Sequence, residues 1–309
     1  MRYSATEVIR RGFENMVANW PLLLIRIAEG VLLMIVAVAA IVAAIVPVAV
    51  SLGLNAASAQ NPEDLAELMV GVLADRWMVI LYLFAVATIL LITFVAVHSF
   101  VEAGSARVYV DGERAAGATP QARRPQFRMF SMERWLGGGK QDWWPVFWIY
   151  NVAWGAAGFV ILAPLLVVAA LMVLLHDNAP LMLGVTCLGL LVSLFVLVLV
   201  AVVTNVWCQK AIVVCVARTH RTTGALGQAW GDFRRDAGRH IAVALVLFLL
   251  MIVGSGVFAS ISFVGGMSDS PGFVLAMMPM QLIGTLANTV FSAMIGAWFL
   301  ACFAALDRG

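Results

Sequence analysis

Charge is scarce in this chain. Asp, Glu, Lys and Arg make up 12% of its 309 residues, about half the usual share of a soluble domain. That excludes a water-solvated globule. With 63% apolar residues and a mean hydropathy of +0.98, it leaves a polytopic membrane protein. Lysine is scarcer still, 2 residues against 17 arginines, which with abundant alanine fits a GC-rich bacterial genome. Cysteine is limited to Cys187, Cys208, Cys215 and Cys302, all inside apolar runs. Cys208 and Cys215 are seven apart on one helix face, with no acidic or histidine neighbours at ligand spacing, so the four are expected as buried apolar side chains, with no metal site and no disulfide framework. The histidines at 98, 176, 220 and 240 are scattered. No Gly-x-Ser-x-Gly elbow, His-Glu-x-x-His or pair of carboxylates within one span occurs. Gly137-Gly138-Gly139-Lys140 is followed by Gln141 and preceded by no strand, so it is not a Walker loop; a flexible joint is expected there. The chain is therefore expected to be no enzyme and to carry no cofactor or metal. No cleavable leader is expected, since Arg2, Arg10 and Arg11 precede no separate apolar core. The first span would serve as its own insertion signal.

What the chain has is one unit in three variants. In the first, Glu7 to Trp20 places arginines on one side and Val8, Ile9, Phe13, Met16 and Val17 on the other. That pattern predicts a helix lying in the headgroup layer. Trp20-Pro21 then opens an apolar run with no charge from Gly30 through Val50, and about 20 such residues cross a bilayer core. Six spans are expected, near 21–50, 77–105, 145–175, 180–212, 241–265 and 274–304. Between the first two, Ser51 to Arg76 is acidic, and Pro62-Glu63-Asp64 predicts a short capped helix. The links 104–142 and 210–239 are rich in arginine. Of all 19 lysines and arginines only Arg76 falls on the other side. Positive charge marks the cytoplasmic side, so both termini are expected there, in a bacterial inner membrane.

The second unit sets Phe127, Phe130, Met132 and Trp135 at helical spacing before Trp143-Trp144-Pro145. The third sets Leu226, Trp230, Phe233 and Ala237 beside Arg234, Arg235 and Arg239. Proline costs nothing in a first helical turn and tryptophan favours the headgroup level, so Trp20, Trp135, Trp144 and Trp230 are the expected interfacial anchors. The fold class is all-α: one membrane domain over 1–309, six transmembrane helices as three hairpins, each led in by an amphipathic interfacial helix. The pseudo-repeats lie at about 5–112, 125–221 and 223–309. The returning spans end alike, in Val-Tyr-Val-Asp-Gly-Glu-Arg (108–114), Val-Ala-Arg-Thr-His-Arg (216–221) and Leu-Asp-Arg-Gly (306–309). These endings, with the phenylalanine-bearing lead-ins, resemble a bacterial six-span family. It includes the membrane domain found ahead of some glycerophosphodiester phosphodiesterases, and its stand-alone relatives. Leu306-Asp307-Arg308 is the most recognisable piece. No phosphodiesterase-like stretch accompanies it in this sequence, so the resemblance implies no such activity here.

Polar residues inside spans are costly and ask for a reason. Arg26 and Glu29, His98 and Glu102, Asn151, and Asn205, Gln209 and Lys210 fall on helix faces in one inner-leaflet band, about 9 to 13 Å from the cytoplasmic edge at 1.5 Å per residue. One reading is interhelical hydrogen bonding, with Arg26 paired to Glu29 along its own helix or snorkelling outward. The other is a vestibule open to the cytoplasm in which Arg26, Glu29, His98, Glu102, Asn205 and Gln209 bind a ligand, Arg26 meeting a phosphate or carboxylate. A non-enzymatic protein that binds lipid, through anionic headgroups, or a partner protein is the first functional expectation. The alternative is a small-molecule or lipid transporter. A protein partner or a homo-oligomer is compatible with both. The basic loops near Phe130 and Trp135 serve topology and anionic lipid rather than nucleic acid.

Overall fold

The computed structural model describes residues 3–51, 77–119, 122–175, 178–263 and 271–308. The expected capped helix around Pro62 lies outside them. Among the described residues the chain is almost wholly helical, without strands: α1 (Ala5–Ala18), α2 (Pro21–Ser51), α3 (Trp77–Ala116), α4 (Arg124–Phe127), α5 (Met132–Leu174), α6 (Ala179–Val214), α7 (Thr222–Arg235), α8 (Ala237–Phe263) and α9 (Pro271–Arg308). A π-helical turn, Cys215–Thr219, prolongs α6. Six of the helices (α2, α3, α5, α6, α8 and α9) are long and apolar enough to cross a membrane. The protein is an all-α, multi-pass membrane protein.

Local chemistry fixes the helix ends. At α1, Ser4 Oγ accepts from Glu7 N and Glu7 Oε2 accepts from Ser4 N, a reciprocal capping box. Asn178 caps α6 by accepting from Leu181 N, with Pro180 in the first turn. The π turn closes on His220, whose φ of 52° is left-handed. Its ring Nδ1 lies 2.8 Å from the buried Asp142 Oδ1, which holds the residue in that conformation.

Two compact units result. Ile27–His98 contains the first hairpin. There Tyr82 Oη donates to Ala43 O at 3.3 Å, and His98 Nδ1 meets Glu29 Oε1 at 2.8 Å, the register of an antiparallel pair.

The other unit, Met1–Arg26 with Ser99–Gly309, holds the hairpins α5/α6 and α8/α9 and a dense polar-apolar base. Its longest helices, α5, α6 and α9, are longer than a bilayer is thick. At 36 residues, with the 5 of its π turn, α6 runs about 60 Å, against a core of ~30 Å and ~40–45 Å including headgroups. The expected spans ended near 105, 212 and 304; the helices continue to Ala116, Val214 and Arg308. The continuations are where side chains bury. Val101–Val110, Val206–Val216 and Leu300–Leu306 supply most of the core, joined by Val8 and Met16 of α1 and Ala225, Leu226 and Phe233 of α7. Leu181–Leu199 of α6 and Ile241–Val257 of α8 instead present large apolar side chains outward, as hydrocarbon contact requires.

This arrangement corrects several expectations. The apolar side of α1 packs on α9, where Trp298 Nε1 donates to Ile9 O at 2.9 Å and Phe13 meets the Trp298 ring edge-on at 5.1 Å. It is therefore covered by protein instead of lipid. The second lead-in is not a separate amphipathic helix. Only the four residues of α4 are helical before position 128, and α5 runs unbroken through Gly137–Gly139 and Pro145. The glycine run is a contact surface: a Cβ on Gly138 would lie 2.6 Å from Arg107 Cβ, and one on Gly139 would lie 2.8 Å from the Phe100 ring. Cys187 is exposed, whereas the other three cysteines are buried; all four are free thiols.

Candidate functional site

The structure brings the predicted band together as two sets, one within each unit. Arg26 is ion-paired to Glu102, whose other oxygen accepts from Gln209 Nε2 at 3.1 Å. Glu102 is 1% exposed, and a charge so buried needs these partners. Glu29 pairs with His98. The expected Arg26–Glu29 pair along one helix is thus replaced by two longer-range pairs. Asn205 is exposed and takes part in neither. Asn151 Nδ2 donates to Phe147 O in its own helix.

Of the expected anchors, Trp20 (56% exposed), Trp144 (52%) and Trp230 are at the surface. Trp135 is not. It is buried edge-on against Phe100 at 5.5 Å, and its side chain fills the space that a Cβ on Gly104 would need. Near the surface-exposed Trp144, Trp143, Phe147 and Trp148 form a run of ring contacts. Arg234 stacks over Trp230 at 5.2 Å.

The densest polar chemistry lies in the base, where the sequence reading had placed no site. Arg11 is fully buried. Its fork donates to Glu113 Oε2 at 2.7 and 3.2 Å, to Thr119 O at 2.6 Å and to Gly117 O at 3.0 Å, between the Tyr3 and Phe127 rings. Asn15 Nδ2 donates to Tyr109 O at 2.9 Å. Asn19 Nδ2 donates to Phe127 O, while its Oδ1 accepts from both Met129 N and Phe130 N, each at 2.9 Å. That side chain satisfies the backbone of the non-helical segment 128–131, and so interrupts the helical spacing expected from Phe127 to Trp135.

At the ends of the returning helices three arginines form a closed cycle. Arg114 Nη2 donates to Ala217 O at 2.7 Å, Arg218 Nη2 donates to Asp307 O at 2.8 Å, and Arg308 Nη1 donates to Glu113 O. Each guanidinium thus caps the carbonyl just before the next arginine, where helix dipoles present negative charge. The cycle borders a cavity of about 250 Å³ lined by Glu113, Arg114, Arg218, Asp307 and Arg308 among others. On the other side of Arg218 a second cavity, about 170 Å³, is lined by Lys210, Arg235, Arg239 and His240 with three aspartates. Lys210 is buried there and bonded to Asp307 Oδ1 at 2.8 Å. The sequence signal for the cycle was present in the like endings at 108–114, 216–218 and 306–308. Nothing local marked Arg11, Asn15 or Asn19 as buried.

Comparison with protein-family models, curated proteins and solved structures gives no match.

Proposed function

We propose that this is a non-enzymatic protein of a bacterial inner membrane, with both termini cytoplasmic, that holds anionic lipid headgroups at the rim of its base. The observation that carries this reading is the exposed face of α7. With its apolar side spent on the core, the helix turns Arg234, Arg235 and Trp230 outward, and the Arg234 guanidinium lies on the Trp230 ring. An indole at headgroup level beside arginine suits phosphate-bearing lipid. The one-sided placement of arginine and lysine supports the orientation, and the like endings of the returning helices support a threefold repeat. The six-span family that Leu306-Asp307-Arg308 resembles is compatible with this role. The transport alternative needs a polar band open to water; the burial of Glu29 and Glu102 weighs against it.

The test is native mass spectrometry of the full chain released from mixed-lipid nanodiscs. Phosphatidylglycerol retained over phosphatidylethanolamine, with the preference lost in R234Q/R235Q, is the expected result. Equal retention of both lipids by the unsubstituted protein overturns the reading.

A further inference from the structure

We propose that the arginine cycle is a binding site for a soluble, doubly charged phosphate group, either inorganic phosphate or a small phosphate monoester, seated in the cavity that Arg114, Arg218 and Arg308 border. This goes beyond lipid binding and involves neither Arg234 nor Arg235.

Three observations carry it. The first is geometry. The three donations run head to tail and close, so each guanidinium is held by a backbone carbonyl that cannot move away. A phosphate monoester has three equivalent terminal oxygens, and guanidinium is the side chain best matched to them. The second is charge. Both acids of the lining are already met by buried cations from outside it: Glu113 by Arg11 at 2.7 Å and Asp307 by Lys210 at 2.8 Å. Outside the lining, Arg114 faces Asp111 at 3.5 Å, which Arg107 and Arg134 share, and Arg218 faces Asp232 at 3.9 Å; with Arg308, Arg11 and Lys210 counted, seven cations meet four carboxylates. The distal N–H groups of the three arginines are not consumed by one carbonyl each, since a guanidinium carries five. Arg218 also spans the Asp307 carboxylate, yet its side chain remains 43% exposed, and that of Arg114 53%. The third is position. Arg218 lies about 58 Å along the helix from Ala179, and Arg308 about 55 Å from Pro271, against ~40–45 Å for a whole bilayer with headgroups. The cavity therefore lies at the end of helices that outrun the bilayer, level with the α7 rim, where water and a dissolved anion reach it. At about 250 Å³ it admits a phosphate with several waters, each needing ~30 Å³.

The experiment uses the full chain in nanodiscs of phosphatidylcholine alone, so that no anionic lipid is present. Inorganic phosphate is titrated at constant ionic strength, with heat or thermal shift as the readout and chloride as the control. Saturable binding of one phosphate per chain is expected. R114Q, R218Q and R308Q are each expected to weaken it about tenfold, within about threefold of one another, because the cycle makes the three positions equivalent. R308K, which keeps the charge but loses the fork, should recover only part. R234Q/R235Q should leave phosphate binding unchanged whatever it does to lipid retention. Circular dichroism and melting temperature identify any variant that fails to fold, and the titration of the unsubstituted protein stands without the variants. Absence of saturable phosphate binding overturns the proposal. So does binding that is unchanged in all three single variants, or that arises only when phosphatidic acid is added to the disc.

Discussion

Replacing Gly12 by alanine changes stability in opposite directions according to where α1 lies. In the structure a Cβ at this position would come 2.8 Å from Cys302 N and 2.9 Å from Cys302 Cα, and would also overlap the thiol. Backbone atoms cannot rotate away. The clash is about half an ångström inside ordinary van der Waals contact, and overpacking of this kind costs about 1–3 kcal/mol. Lifting α1 to relieve it also stretches the bond from Trp298 to the Ile9 carbonyl. Set against this is the better helix propensity of alanine, worth about 0.8–1.0 kcal/mol. Gly12→Ala should therefore be destabilising by up to about 2 kcal/mol. On a helix resting freely in the headgroup layer the propensity gain alone would remain, and the same change would stabilise by about 1 kcal/mol. Reversible unfolding of the full chain in mixed micelles, titrated with sodium dodecyl sulfate and followed by far-UV circular dichroism, measures the sign. Gly231 in α7 is the control: a Cβ there meets nothing within 4 Å, so Gly231→Ala should stabilise by roughly 0.5–1 kcal/mol. Adding Cys302→Ala to Gly12→Ala removes the thiol overlap but not the backbone one, and should recover only part of the loss. A Gly12→Ala protein stabilised as much as the Gly231→Ala control would sink the docked position of α1.

Arg11→Met should cost about 3–5 kcal/mol in the same unfolding assay, because it leaves the Glu113 carboxylate buried without its cation; R11M/E113M should recover much of that loss. Asn19→Ala removes one donor and an acceptor shared by two backbone N–H groups. It should cost about 2–4 kcal/mol and expose segment 128–131 to faster amide exchange. Glu7 is held below the usual carboxylate range, first by the hydrogen bond from the Ser4 backbone and then by its hydroxyl. With the folded value lowered, the capping box is fully stabilising above the unfolded value and weakens as pH falls through the folded one. Fraying at the start of α1, read by amide exchange, should therefore increase as the medium is acidified, and Glu7→Gln should abolish that dependence.

Much of the fold was legible because lipid imposes a simple code. A charge-free run such as Gly30–Val50 admits few structures. Periodicity also located α1 and α7 correctly. It could not say what would cover them, because an apolar stripe is equally content against lipid or against another helix. The same ambiguity applies to Trp135, read as an anchor and found in the core, and to Gly137–Gly139, read as a joint and found where Arg107 and Phe100 approach. Arg26 and Glu29 have the spacing of a local pair, but burial offered Arg26 a distant carboxylate, and no short-range pattern encodes a partner 76 residues away. The three like endings were visible as a similarity. Their closure into a cycle is a property of three-dimensional convergence alone.

The seating of α1 on α9 has a temporal consequence. Trp298 and Ile9 are separated by 289 residues, so at ~5–20 residues per second of synthesis α1 waits roughly 15–60 s for its berth to be made. During that interval Val8 and Met16 lack the α9 part of their packing, and a chaperone or the nearby leaflet must shelter them. Arg308, 195 residues after Glu113, closes the last contact of the arginine cycle. Completion of the base thus reduces to whether α1 and the end of α9 have found their partners, and a chain interrupted before Arg308 should be inserted but unlatched.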